Sequence, residues 1–166
     1  MQPRILLCLL ICCIYSNACV AETDNRHTLY LVRHAEKQTD DSSDPGLTAA
    51  GKTRSEKLAN WLLDKNIEVI WSSNYKRTRD TAAPLLSKSG LELRVYDPKN
   101  QTEFANILLS QQHNSLVVGH SNTIPELARI LCDCTIDDMG ESEYDRLITV
   151  SVIDQRIHIE TLRQAD

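Results

Sequence analysis

Residues Thr28–Arg33 read TLYLVR, a short run of β-formers with no charge before its last residue, and His34 comes directly after. A stretch with no polar stripe to turn toward water predicts a strand buried on both faces, as in a parallel sheet covered by helices. The next thirty residues decide whether such helices exist. Glu36–Pro45 is dense in Asp, Ser and Thr and ends in Pro45-Gly46, so it reads as a loop. Thr48 then offers an N-cap hydroxyl, and Leu58, Trp61, Leu62 and Lys65 recur at helical spacing, which predicts a helix over 48–65.

The same alternation continues outward. Ile67–Ser72 reads as a second strand, and Tyr75–Ser87 as a helix kinked or shortened at Pro84 and stopped by Gly90. Leu91–Tyr96 is a third strand, Gln101–Gln112 a helix, and Ser115–Gly119 a fourth, fully buried strand. Ile124–Leu131 reads as a helix with Pro125 in its first turn. Leu147–Ile153 and Arg156–Leu162 alternate apolar and polar residues around Asp154-Gln155, a possible hairpin. Alternating strand and helix predicts an α/β fold: a three-layer α/β/α sandwich, its central sheet mostly parallel, with a C-terminal antiparallel strand or hairpin.

Composition narrows the function classes. The chain has 166 residues, 42% hydrophobic and 25% charged, which suits one globular domain. The formal net charge is −5. A chain this acidic has no footprint for wrapping nucleic acid, so any anionic ligand must be held by a local cluster of cations. At the N-terminus, Arg4 precedes the apolar run Ile5–Tyr15, and the small residues Cys19-Val20-Ala21 come after it. That order predicts a signal peptide over residues 1–21, a mature domain over 22–166, and a secreted or periplasmic location. The run is too short for a comfortable membrane span. A lipoprotein anchored at Cys19 is the other reading of the same segment. Cys132 and Cys134 read as small residues near a helix end. Two positions apart, they would bridge only with strain, and they are too few for a metal site. Nothing in the sequence sets an oligomeric state.

In an open α/β sheet, ligands bind beyond the carboxyl ends of the strands. The first strand ends in Arg33-His34, and the second runs through Ser72-Ser73 to Lys76, Arg77 and Arg79. The third ends in Asp97, and the fourth in Gly119-His120. Two histidines and at least two arginines therefore converge on one rim. Arginine forks match phosphate oxygens, and a helix start beyond His120 offers N–H groups to an anion. Neighbouring cations lower a histidine's pKa and keep its nitrogen free to attack phosphorus. The residues thus predict phosphoryl transfer through a phosphohistidine.

Three segments carry a resemblance. LVRHAEK (Leu31–Lys37), WSSNYKRTRDTA (Trp71–Ala82) and VVGHSNT (Val117–Thr123) resemble, in order and spacing, the three motifs of the histidine phosphatase superfamily, whose fold is phosphoglycerate mutase-like. The resemblance implies that His34 is the nucleophile, that Arg33 and Arg77 clamp the phosphoryl oxygens, and that His120 is the second histidine of the phosphate pocket. It implies no metal and no other cofactor. The proton donor is where this sequence departs from the family. Some members place an acid after the third strand, and others place Asp directly after the second histidine. Here Ser121 stands after His120, which leaves Asp97 as the first candidate, then Glu103, then Glu36.

The short mature chain has little material for a lid, since only 16 residues separate Asp97 from Asn114. An open pocket favours hydrolysis over return of the phosphoryl group to substrate. The expected activity is metal-independent hydrolysis of small phosphomonoesters, sugar phosphates among them, as in the small envelope members that the chain resembles. The alternatives are a phosphohistidine or phosphoprotein phosphatase, or a non-catalytic phosphate-binding module on the same fold. Other polar residues have plainer expectations. His27 reads as tail or strand edge, His113 as a solvated helix end and His158 as a strand residue. Trp61 and Trp71 read as core, and Glu141–Arg146 as an exposed charged turn.

Overall fold

The structure, a computed structural model, describes residues 26–39 and 42–164. The expected signal peptide and Cys19 lie outside these residues. The described chain runs β1 (Arg26–Arg33), α1 (Ala49–Leu62), β2 (Val69–Ser73), α2 (Lys76–Ser89), β3 (Leu93–Tyr96) and α3 (Gln101–Gln111). It continues with β4 (Ser115–Gly119), α4 (Thr123–Cys132), β5 (Arg146–Ile153) and β6 (Arg156–Arg163). All ten elements stand where the sequence predicts them, with ends shifted by at most three residues.

Local chemistry sets several of those ends. Thr48 caps α1, its hydroxyl accepting from the Gly51 N–H at 3.0 Å. Gly90 ends α2 in the left-handed region, at φ 71°. Pro84 neither ends nor shortens α2, which runs on to Ser89. Asp154 and Gln155 both take positive φ, 48° and 65°. That is the backbone a two-residue turn needs if it is to match the twist of the flanking strands.

The sheet order is β3-β2-β4-β1-β5-β6. β1, β2, β3 and β4 are parallel, and β5 runs antiparallel to β1 and to β6. The helices cover both faces, which makes the three layers. On one face, Leu58 and Leu62 of α1 and Leu85 of α2 pack on Val32, Ile70 and Val118. On the other, Phe104 and Leu108 of α3 and Ile124 and Leu127 of α4 pack on Leu29, Leu31 and Val117. Each large apolar side chain so buried contributes about 1.5–3 kcal/mol relative to exposure.

Three expectations are corrected. His27 is no strand edge: it is 4% exposed, because β1 starts at Arg26 and lies between β4 and β5. Trp61 is half-exposed rather than core, set edge-on to Tyr30 with Lys65 over its ring. Trp71 is buried against Phe104, as expected. Cys132 and Cys134 are joined in a disulfide. Asp133 between them takes φ 50°, which turns the chain back and leaves the two Cα atoms 5.1 Å apart, within the normal disulfide range.

Candidate active site

Strand pairing builds the centre of the site. β1 and β4 are neighbours, and their last residues, Arg33 and Gly119, are register partners. The next residue of each strand is a histidine, so His34 and His120 leave the sheet side by side. The His34 N–H donates to the Gly119 carbonyl at 2.9 Å, and the two rings lie 5.5 Å apart. β1 hands its chain to α1 on one face, and β4 to α4 on the other. A crevice opens where adjacent strands part in this way.

α2 brings the third component. Its first turn carries Arg77, whose Nη2 lies 3.4 Å from His120 Nδ1. Thr81 fixes the helix to the first histidine's loop, its hydroxyl accepting from the Ala35 N–H at 2.9 Å. Ser73 ties the end of β2 to His120, its Oγ 2.9 Å from Nε2. The four residues expected from the strand ends, Arg33, His34, Arg77 and His120, are therefore brought together.

Hydrogen bonding sets the tautomers. His34 Nδ1 lies 2.8 Å from the Ala35 carbonyl. A carbonyl can only accept, so Nδ1 carries the proton and Nε2 keeps its lone pair. Burial pushes the His34 pKa down to about 3; the Ala35 carbonyl opposes this, and Arg33, Arg77 and His120 add to it. Burial, then Arg77, then Arg33, bring His120 down to about 4. Both rings are neutral at ordinary pH. Beside them, the Nε groups of Arg33 and Arg77 are buried without a hydrogen-bond partner. Two neutral imidazoles and two guanidinium edges with unused donors, on one rim, suit an oxyanion that carries more than one negative charge.

The rim holds groups that the sequence reading did not assign to the site. Arg33 Nη1 donates to the carbonyls of Gly140, Glu141 and Glu143, at 2.9, 2.9 and 3.1 Å. The turn over 141–146, an exposed charged loop by default with the rim as its other reading, is thereby drawn onto the pocket. It brings Tyr144, which lies under the Arg33 guanidinium at 4.2 Å and tilts against His34. Tyr75 does the same on the far side, under Arg77 at 4.5 Å and edge-on to His120. Tyr75 lies inside the second motif and could have been noticed there. No sequence signal marks Tyr144, since only folding brings residue 144 to residue 34. Asp44 accepts from the Lys76 N–H with both carboxylate oxygens and lies 3.7 Å from Arg77 Nη1.

The expected acids are placed elsewhere. Asp97 is exposed, and its Oδ1 accepts from the Lys99 N–H, a turn role in front of Pro98. Among the described residues, no hydrogen bond or ion pair joins Asp97 or Glu103 to the two histidines or the two arginines. Glu103 lies on the first turn of α3, beside Asp97 in a small cleft with Trp71 and Phe104. Glu36 is tied to Arg54 at 2.9 Å. A cavity of about 570 Å³ between α1 and the β5–β6 hairpin is lined by Leu58, Trp61, Leu147 and Leu162 and by none of the four central residues.

Residues 29–98 match the family model of the histidine phosphatase superfamily, branch 1. Over that segment, which is less than half of the chain, the sequence is similar to that superfamily. The match takes in Arg33, His34 and Arg77 and stops before His120, which strand register and the contacts with Ser73 and Arg77 place beside them. No curated protein matches the chain. Solved structures do. A mycobacterial glucosyl-3-phosphoglycerate phosphatase superposes at TM-score 0.66 and 15% identity, over 85% of this chain and all of its own. The protein histidine phosphatase SixA, in complex with tungstate, superposes at 0.66 and 19%, over 82% of this chain and 97% of its own. At these identities the likeness is one of fold. The three-layer architecture with its mostly parallel sheet is that of the histidine phosphatases.

Proposed function

We propose that this chain is a metal-independent phosphomonoesterase that works through a covalent phosphohistidine on His34, with small sugar phosphates as the substrate class. One observation carries the reading: His34 Nε2 keeps its lone pair next to two arginines with unpartnered donors. The substrate phosphate takes the donors of Arg33 and Arg77, which orient phosphorus in line with Nε2. The N–P bond forms as the P–O ester bond breaks. Arginine charge stabilises the equatorial oxygens, and contacts of this type are worth about 10²–10³ in rate each. The bound dianion offsets the arginines and lets His120 gain a proton, so that it becomes a donor to the transferred group. Water then displaces His34 and frees phosphate.

The superfamily match and the phosphatases among the structural neighbours support hydrolysis. The predicted signal peptide supports a secreted or periplasmic setting, and a lipid anchor at Cys19 is its variant. The test is turnover of an aryl phosphate by the mature chain, with chelator present, beside His34→Ala. Turnover that survives chelator and disappears with His34, together with a phosphoenzyme trapped by alkaline quench, supports the reading. Chelator-sensitive turnover, or turnover without His34, refutes it. A phosphohistidine or phosphoprotein substrate is the second reading. The turn contact of Asp97 favours it, because a substrate with a good leaving group has less need of an acid. A panel of sugar phosphates and phosphopeptides separates the two.

A further inference from the structure

We infer that Glu141 is the proton donor to the leaving group, reaching the pocket from the β5-side loop in place of the acid missing after His120. The inference rests on the phosphohistidine reading above and adds a residue to it.

The carboxylate has a defined place. Glu141 Oε1 accepts from the Ser121 hydroxyl at 3.5 Å, and Oε2 lies 3.5 Å from Arg33 Nη2. Ser121 is the residue directly after His120. The carboxylate thus lies beside the second histidine's loop and one clamp arginine, although residue 141 is 20 positions further along the chain. Arg33 fixes its backbone as well, because the Glu141 carbonyl is one of the three that Arg33 Nη1 holds.

The other carboxylates near the rim are committed. Both oxygens of Asp44 accept from the start of α2. Glu36 is held by Arg54. Glu143 is held by Arg146, the Gly140 N–H and Arg163, contacts that take its pKa down to about 2. Asp97 Oδ1 accepts from the Lys99 N–H within its own turn. Glu141 contacts the pocket only at its inner edge, and its side chain is 91% exposed.

A phosphate dianion that takes the Arg33 donors releases Glu141 from part of its contact with Arg33, and the donor form is the carboxylic acid. As the bond from His34 Nε2 to phosphorus forms and the P–O ester bond breaks, the Glu141 proton passes to the ester oxygen and an alcohol leaves. In the second half, water attacks phosphorus and the N–P bond breaks. One water proton goes to the Glu141 carboxylate, and His34 returns neutral. The charges of His34 and Glu141 are then those of the starting state.

The test compares E141Q with the parent chain on p-nitrophenyl phosphate and on glycerol 3-phosphate, with single-turnover trapping of the phosphoenzyme. General acid catalysis is worth about 10²–10⁴ in rate, and it is needed for an alkoxide but hardly for a nitrophenolate. The expected result is a loss of at least about 100-fold in phosphoenzyme formation from glycerol 3-phosphate, with less than about 10-fold from the aryl ester. E141D should recover part of the alkyl activity. Equal losses on both substrates would make Glu141 a positioning residue and overturn the proposal, as would no loss on either. A parent chain that forms no His34-dependent phosphoenzyme from the aryl ester overturns the phosphohistidine reading itself, and the donor with it.

Discussion

Arg33 and Gly119 are register partners across β1 and β4, and this one pairing puts His34 beside His120. The contact leaves no room at residue 119. A Cβ added there would lie 2.7 Å from the Tyr96 hydroxyl and 2.9 Å from Ile124 Cδ1. Tyr96 is itself held, stacked on Phe104 at 4.0 Å with its ring buried.

Gly119→Ala is therefore expected to cost about 1–3 kcal/mol, the usual range for overpacking. It should also lower turnover, since the Gly119 carbonyl holds the His34 N–H. Urea unfolding read beside aryl phosphate hydrolysis checks both effects. An unchanged unfolding midpoint would show that Tyr96 and Ile124 give way freely.

Inorganic phosphate should stabilise the folded chain. At 100 times its Kd, a ligand that binds only the native state adds about 2.7 kcal/mol, which raises Tm by roughly 5–10 °C in a domain of this size. Arg77→Ala should remove most of that rise, measured against the variant's own phosphate-free Tm, because Arg77 carries an unpartnered donor beside the two histidines. A full rise in the variant would place the phosphate elsewhere.

The depressed histidines predict a pH dependence. His34 and His120 have folded pKa values of about 3 and about 4, below the 6.5 of the unfolded chain. Burial lowers His27 as well. Between pH 6.5 and about 3 the unfolded chain binds more protons, so stability falls as pH falls through that window. Above pH 6.5 these groups contribute no slope. Proton NMR of the ring signals should show no titration of His34 down to about pH 4. An inflection near pH 6.5 would mean that the ring is solvated.

Asp44 faces Arg77 and the start of α2 together. Asp44→Ala should cost about 0.5–2 kcal/mol, the range for a lost helix cap. It should tighten phosphate binding, because a competing carboxylate leaves Arg77. Calorimetric titration with phosphate, set beside thermal unfolding, checks the two directions. Weaker binding would show that Asp44 orients Arg77 rather than competing with phosphate for it.

Much of the fold was legible because its signals are local. Thr28–Arg33 and Ser115–Gly119 are apolar throughout most of their length, as strands covered on both faces must be, and both are largely buried. Thr48 and Gly90 mark helix ends through their own hydrogen bonds and backbone. The pocket histidines and arginines were legible because each ends a strand, stands directly after one or opens a helix. Asp97 carries two readings, an acid and a turn initiator before Pro98, and its carboxylate makes a turn contact with the Lys99 N–H. Trp61 misled, because helical spacing does not say how far a face extends beyond the sheet.

By itself the sequence determined which residue types stand at the strand ends, through apolar runs that stop at Arg33-His34 and at Gly119-His120. Periodicity and capping act over a few residues, so they survive in the bare chain. Only the tertiary structure decided which ends are neighbours, that Nε2 of His34 carries the lone pair, and that Glu141, Tyr144 and Asp44 reach the rim. Those contacts join residues far apart in sequence. Their geometry comes from sheet order, register and burial, and none of these is a property of any single segment.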